Sequence, residues 1–392
     1  MTVTIFPGPL SGAIAPPPSK SQAHRAVIAA CLAGGDSRVE GLTSSQDIQA
    51  TRRCMGALTV HDKGEDLPLL DCGESGSTLR FLIPVALALR GGGRFTGRGR
   101  LMERPQEPYF AIFEEKGISY SQENGVLTVR GALTSGEYRL PGDVSSQFVT
   151  GLLYALPLLT GESVIRLTSP LESRGYVDLT LDTLARFGIR VENREYECFT
   201  VRGGQRFQPY RMVVERDYSQ AAFFLTARAL GSEVTVTGMN QDSAQGDRVI
   251  FSYLARLDQP GTVTLDVSQC PDLVPALALR AALRNGETTR ITSAARLRIK
   301  ESDRLDTVTT ELNRLGAQVE QGPDFLTVTG VAGLTGGTAD SHNDHRIAMM
   351  LAVAATRCSG PLTVRGAESV AKSYPAFWSD YERLGGNITC GI

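Results

Sequence analysis

The 392-residue sequence lacks a charge bias: 40 basic and 42 acidic residues leave a net charge of −2, so bulk electrostatics favour neither nucleic acid nor a membrane surface as partner. It lacks long apolar runs, and the stretch from Phe81 to Leu89 falls far short of the roughly 20 residues that span a bilayer. The seven cysteines are odd in number and scattered, with no CxxC pair, which argues against a disulfide framework and a structural zinc site. The opening MTVTIFPGPLSGAIAPPPSK has neither a basic start nor a continuous apolar core, so no secretory leader is read there and a cytoplasmic location is expected. Lysine is scarce: of the 40 basic residues only Lys20, Lys63, Lys116, Lys300 and Lys372 are lysine. A chain that otherwise uses arginine keeps lysine where a compact, mobile charge with a tunable pKa is required. Lys20, Lys300 and Lys372 sit in dense polar motifs and are read as functional; Lys63 and Lys116 lie in surface-like stretches.

The apolar fraction of 42% and charged fraction of 21% are those of a globular protein, and the length suggests two domains. One pattern recurs: an amphipathic helix, a glycine, then an extended segment. It is read at Gly56, Gly117, Gly188, Gly316 and Gly385, with Asp258 in the glycine slot of a weaker copy. A glycine there suits a left-handed helix C-cap. Leu305, Val308, Leu312 and Leu315 mark the apolar face of the helix before Gly316. The copies lie roughly 60 to 70 residues apart, which fits a βαβ-type unit and predicts two domains of three units each.

Three segments pair polar residues with a following apolar helix: Pro18-Ser19-Lys20-Ser21-Gln22-Ala23-His24-Arg25, Gly73-Glu74-Ser75-Gly76-Ser77-Thr78-Leu79-Arg80, and Gly142-Asp143-Val144-Ser145-Ser146-Gln147. A helix start offers unpaired N–H groups and a positive dipole end, although serine is also an ordinary N-cap. Lys20 and Arg25 point the first segment toward an anion. Farther on lie Pro271-Asp272, Lys300-Glu301-Ser302-Asp303-Arg304 and Asn343-Asp344-His345-Arg346. His342 and His345 have no third ligand in their cluster, so a non-metal role is expected.

In order along the chain, SKSxxxR, GESGSTLR, MERP, SSQ, SRGYVD, PD, RIKESDR, NDHR and AKSYP resemble the enolpyruvyl transferase family, on the branch that acts on shikimate 3-phosphate. The resemblance implies a two-domain inside-out α/β barrel, each domain built from three copies of one unit. It implies domains of residues 1–18 with 214–392, and 19–213, with the active site in the cleft between them. It further implies transfer of the enolpyruvyl group of phosphoenolpyruvate to shikimate 3-phosphate by a monomer with no metal or cofactor.

By the same resemblance Lys20 contacts both substrates. Ser21, Arg25, Ser145, Ser146, Ser173, Tyr176 and Lys300 hold shikimate 3-phosphate, and Gln147 lies between the substrates. Gly76, Arg104, Arg304, Arg346 and Lys372 surround phosphoenolpyruvate. Asp272 is the base, also beside shikimate 3-phosphate, and Glu301 the acid, with Lys20 able to share proton transfer. Two phosphates and two carboxylates call for several cations, and the reaction needs both a base and an acid. Glyphosate, the family's inhibitor, is expected to compete with phosphoenolpyruvate because position 76 is glycine. Glu74 stands where many relatives have asparagine and is not expected to touch substrate; Arg296 and Leu297 replace an asparagine–tryptophan pair seen in some relatives, and Phe81 stands where some relatives have proline. Two rivals stay open. A sister branch acting on UDP-N-acetylglucosamine uses a loop cysteine, and this chain has none between Cys72 and Cys198. A non-catalytic phosphometabolite-binding protein would not need Asp272, Glu301 and three motif lysines.

Overall fold

The computed structural model describes residues 1–59 and 66–391, so Lys63 lies outside the described residues. The chain forms two compact units, one of Met1–Pro17 with Arg216–Ile392 and the other of Pro18–Glu215. Both repeat one motif: a strand, a buried helix, a strand parallel to the first, an amphipathic helix, and an antiparallel hairpin.

In the Pro18–Glu215 unit one copy runs through Leu69–Asp71, Gly76–Arg90, Gly92–Thr96, Glu107–Lys116 and the hairpin Ser119–Glu123 with Val126–Arg130. The next runs through Gly136–Leu140, Ser146–Ala155, Glu162–Leu167, Arg174–Arg186 and the hairpin Val191–Arg194 with Cys198–Arg202. The third joins Arg211–Val213 in parallel to Arg38–Glu40, with helices Lys20–Ala33 and Gln46–Thr59, and has no hairpin among the described residues.

The other unit has the same parts. Val263–Asp266, Thr288–Thr292, Leu326–Thr329 and Gln318–Gln321 make one four-stranded sheet in that spatial order. Gly337–Asp340, Leu362–Arg365, Thr2–Phe6 and Asn387–Gly391 make the second. Here the N-terminal strand takes the place of the last hairpin strand, antiparallel to both neighbours. Ser11–Ile14 pairs in parallel with Glu233–Val236 to give the third, two-stranded piece.

The helices between the parallel strands are buried, and the strands beside them alternate buried and more exposed residues. Residues His345–Ala355 (HRIAMMLAVAA) are all buried, and so is nearly all of Ser146–Ala155, because neither sequence offers a solvent-tolerant stripe. The helices before the hairpins are amphipathic: Arg304–Arg314 buries Leu305, Val308 and Leu312 at helical spacing. Gly117, Gly188, Gly316 and Gly385 end such helices with φ of 67°, 80°, 89° and 88°, the left-handed conformation expected of them. Gly56 corrects the pattern, since it lies within the helix Gln46–Thr59, which continues three residues past it. Asp258 caps its helix in the right-handed region. Among the described residues no helix is long and apolar enough to cross a membrane.

Candidate active site

In the Pro18–Glu215 unit the three buried helices begin on serine caps. Ser19 accepts from the Gln22 N–H at 3.3 Å, Ser75 from Thr78 at 3.1 Å and Ser145 from Gln147 at 3.3 Å. Each oxygen satisfies an N–H that the helix cannot, and places Lys20 and Ser21, Gly76, or Ser146 and Gln147 in the first turn.

Lys20 pairs with Asp47 at 2.9 Å. Arg25, one turn on, is buried and donates to Thr180 Oγ1 at 2.8 Å and to the carbonyls of Ser21 and Tyr176 at 2.7 and 2.8 Å. Burial lowers the Arg25 guanidinium to about 10, with Tyr154 and Tyr176 opposing. It lies 5.1 Å from the Phe81 ring centroid, so that ring forms part of its bed. Burial first, then Lys20 and Arg25, push the His24 imidazole well below its usual value, so it is neutral.

Gly76 and Arg104 are in contact. A Cβ on Gly76 would stand 2.5 Å from Arg104 Nη1 and 2.9 Å from Cζ, so the guanidinium occupies the space that glycine leaves. Arg104 is 9% exposed, and its Nε finds no acceptor among the described residues. A buried cation so placed is suited to an incoming anion. Gln147 donates to Ser77 Oγ at 3.0 Å and accepts from Arg80 at 2.9 Å. Arg80 ends the GESGSTLR motif, but sequence reasoning gave it no role. It is buried, stacks on Phe148 at 4.8 Å and also donates to the Pro105 carbonyl at 2.9 Å. Ser173 is buried and left-handed at φ 58°, ahead of the helix that carries Tyr176. Glu74 lines a half-open cavity of about 380 Å³ with Gln46, Gln49, Arg53, Asp71 and Arg98.

In the unit formed by Met1–Pro17 and Arg216–Ile392, the predicted acid–base and cationic residues converge. Arg304, wholly buried, donates to Asp344 Oδ2 at 2.8 Å, Asp272 Oδ1 at 2.8 Å and Glu301 Oε2 at 2.7 Å. Asp344 also caps its own helix through the Arg346 N–H at 2.9 Å and accepts from Ser302 at 3.0 Å. Arg346 Nη2 meets Asp272 Oδ2 at 2.9 Å and Ser219 Oγ at 3.0 Å, while Nη1 is 2.6 Å from His345 Nε2. Arginine only donates, so His345 Nε2 is the acceptor and its proton sits on Nδ1. Lys300 Nζ lies 3.6 Å from Asp272, and Lys372 donates to the Asn343 carbonyl at 2.5 Å.

Burial opposes the Asp272 carboxylate, yet Arg346, Lys300 and Arg304 hold it well below the usual carboxylate range. Burial pushes the Lys300 ammonium down to about 8 against the pull of Asp272, with Arg304 and Arg296 adding to the fall. Arg296 therefore acts on this cluster electrostatically; its own guanidinium donates to the Ser268 carbonyl. Asp272 and Glu301 thus share one guanidinium in unlike surroundings, an arrangement that can set the pKa values of two carboxyl groups apart. Sequence reasoning missed Asp344, Ser219 and Asp47 as partners; Asp344 lay in a quoted motif, whereas Ser219 and Asp47 had no such signal.

Residues 6–381 match the family model described as EPSP synthase (3-phosphoshikimate 1-carboxyvinyltransferase). The chain is 46% identical to a 3-phosphoshikimate 1-carboxyvinyltransferase of Clostridium kluyveri and 45% identical to one of Clostridium acetobutylicum, with 98% of each chain covered. Its structure is similar to that of an EPSP synthase from Acinetobacter baumannii, with a TM-score of 0.80 at 26% identity over the whole of both chains. The fold is also similar to that of the enolpyruvyl transferase NikO from Streptomyces tendae, with a TM-score of 0.79 at 19% identity over 99% of this chain and 98% of the other.

Proposed function

The chain belongs to the EPSP synthase family, and from that membership we infer that it transfers the enolpyruvyl group of phosphoenolpyruvate to the 5-hydroxyl of shikimate 3-phosphate, releasing phosphate. The reaction belongs to the shikimate pathway, which leads to the aromatic amino acids. The observation that carries the chemistry is the Arg304 guanidinium shared by Asp272 and Glu301. Asp272 takes the proton of the attacking hydroxyl and Glu301 protonates the methylene carbon of phosphoenolpyruvate. The tetrahedral intermediate then loses phosphate and a proton to leave the enol ether. A carboxylate held down by three cations is a weak base. Anionic substrates that draw Arg346 and Lys300 toward themselves relieve that hold and make Asp272 more basic.

Ser21, Arg25, Ser145, Ser146, Gln147, Ser173, Tyr176, Asp272 and Lys300 are assigned to shikimate 3-phosphate. Gly76, Arg104, Gln147, Arg304, Arg346 and Lys372 are assigned to phosphoenolpyruvate, and Lys20 to both. The buried Arg104 beside Gly76 supports the second set. The same contact supports competition by glyphosate, an anion of similar size. The reading carries with it a cytoplasmic location and a monomer. Phosphate release from phosphoenolpyruvate, measured with shikimate 3-phosphate and separately with UDP-N-acetylglucosamine, tests the reading. Release with the first acceptor supports it; release with the second alone means the sister activity, and release with neither means a binding protein.

A further inference from the structure

Among the residues left without a role are His342 and the wholly buried Glu311. Glu311 lies two turns beyond Arg304 on the helix Arg304–Arg314, so both face the same way. Its Oε1 is 2.9 Å from His342 Nε2, and its Oε2 accepts from the Asp340 N–H at 3.1 Å. His342 and Asn343 are consecutive non-glycine residues in the left-handed region, at φ 51° and 55°. Two such residues in a row are uncommon outside glycine and persist where their surroundings hold them. Here one helix grips the corner at both ends: Arg304 holds Asp344 on one side, and Glu311 holds Asp340 and His342 on the other. A further bond runs from the His342 N–H to Asp340 Oδ1 at 2.7 Å. The carbonyl that the corner presents between these anchors is that of Asn343, which accepts from Lys372 Nζ at 2.5 Å.

We propose that His342 and Glu311 are positioning residues: by pinning the left-handed corner 342–343 they aim the Asn343 carbonyl, and so fix the Lys372 ammonium for phosphoenolpyruvate. The proposal rests on the assignment of Lys372 to that substrate. His342 reaches Lys372 only through the backbone. Its side chain is 33% exposed, so its replacement does not hollow the core.

The test is a double-mutant cycle read in KM and kcat with the full-length enzyme. His342→Ala should raise KM for phosphoenolpyruvate about tenfold, with kcat and KM for shikimate 3-phosphate near wild type. His342→Gln, whose amide N–H can reach Glu311, should restore most of the affinity. In a Lys372→Ala background His342→Ala should have no further effect, because the group it positions is gone. An unchanged KM in His342→Ala, additive effects in the double variant, or no rescue by glutamine would each overturn the proposal. If Lys372→Ala itself leaves KM for phosphoenolpyruvate unchanged, the assignment of Lys372 fails and the proposal falls with it. A melting temperature for each variant separates these outcomes from unfolding.

Discussion

Asparagine in place of Asp272 would keep the shape of the site but remove the charge on which Arg346, Lys300 and Arg304 converge. Asp272→Asn and Glu301→Gln are each expected to lower kcat by roughly a hundred- to ten-thousandfold, the usual worth of a general acid or base. Calorimetry should still find shikimate 3-phosphate bound to Glu301→Gln; near-normal turnover in both variants would remove the acid–base assignment. Lys300 sets a pH limit. Because burial has brought it down to about 8, it loses its charge above that pH, and kcat/KM for shikimate 3-phosphate should fall on the alkaline side with a midpoint near 8. A flat profile to pH 10 would mean that its charge is not used. The stability effect has the opposite sign: an unfolded Lys300 binds its proton up to its ordinary value, so between about 8 and that value this group favours folding more as pH rises. At Gly76 an added methyl must displace the Arg104 guanidinium, so Gly76→Ala should raise KM for phosphoenolpyruvate and weaken glyphosate inhibition together. Lys20, Lys300 and Lys372 stand out in sequence because lysine is rare here, and the structure sets them against Asp47, Asp272 and the Asn343 carbonyl. Lys116 was read as bland surface, yet its ammonium lies 4.2 Å from the Tyr138 ring centroid, a contact between residues 22 positions apart that no local pattern announces.

At the scale of single elements, the two units differ in how their buried helices begin. Serine caps open three helices in one unit, whereas Asp217 and Asp344 cap helices in the other. Hydroxyl caps leave the positive helix end free for an anion; carboxylate caps neutralise it and, at Asp344, also anchor Arg304. Asp344→Ala would remove the fully buried partner of Arg304, which keeps Asp272 and Glu301, and with it the cap of the helix His345–Ala355. It should destabilise its unit by about 3–5 kcal/mol, read as a lower urea midpoint. The helix–glycine–strand pattern was legible because a left-handed cap needs glycine. It misled at Gly56, where the helix simply runs on to Thr59. The hydrogen bonds of Arg80 and Glu311 were not legible, since their partners lie in other repeats or other elements and neither residue type nor spacing encodes them.

Over the whole molecule, repetition explains a feature that no single segment shows. Four sheets share one order, a parallel pair followed by two antiparallel neighbours, and in one of them the chain's first strand supplies the position that a hairpin fills elsewhere. Val3 and Ile5 are wholly buried in that strand. Ile5→Ala should therefore cost about 2–5 kcal/mol of unfolding free energy, as a central core position does, and a loss below 0.5 kcal/mol would contradict the pairing. The chain passes between units at Pro17–Pro18 and Glu215–Arg216, and the first crossing falls in the run Pro16-Pro17-Pro18. A stiff three-residue signature of this kind is easily overlooked beside the long flexible linkers that composition detects.

The assigned chemistry requires protonation of the phosphoenolpyruvate methylene by an acid and later loss of a proton from the resulting methyl group. The most direct test is to run the reaction with shikimate 3-phosphate in D₂O and follow it by phosphorus and proton NMR. One inorganic phosphate should be released per new enol ether, with deuterium appearing in the vinyl methylene of that product. Enol ether formed without deuterium would contradict the proton-transfer route, and absence of both products would contradict the assigned activity.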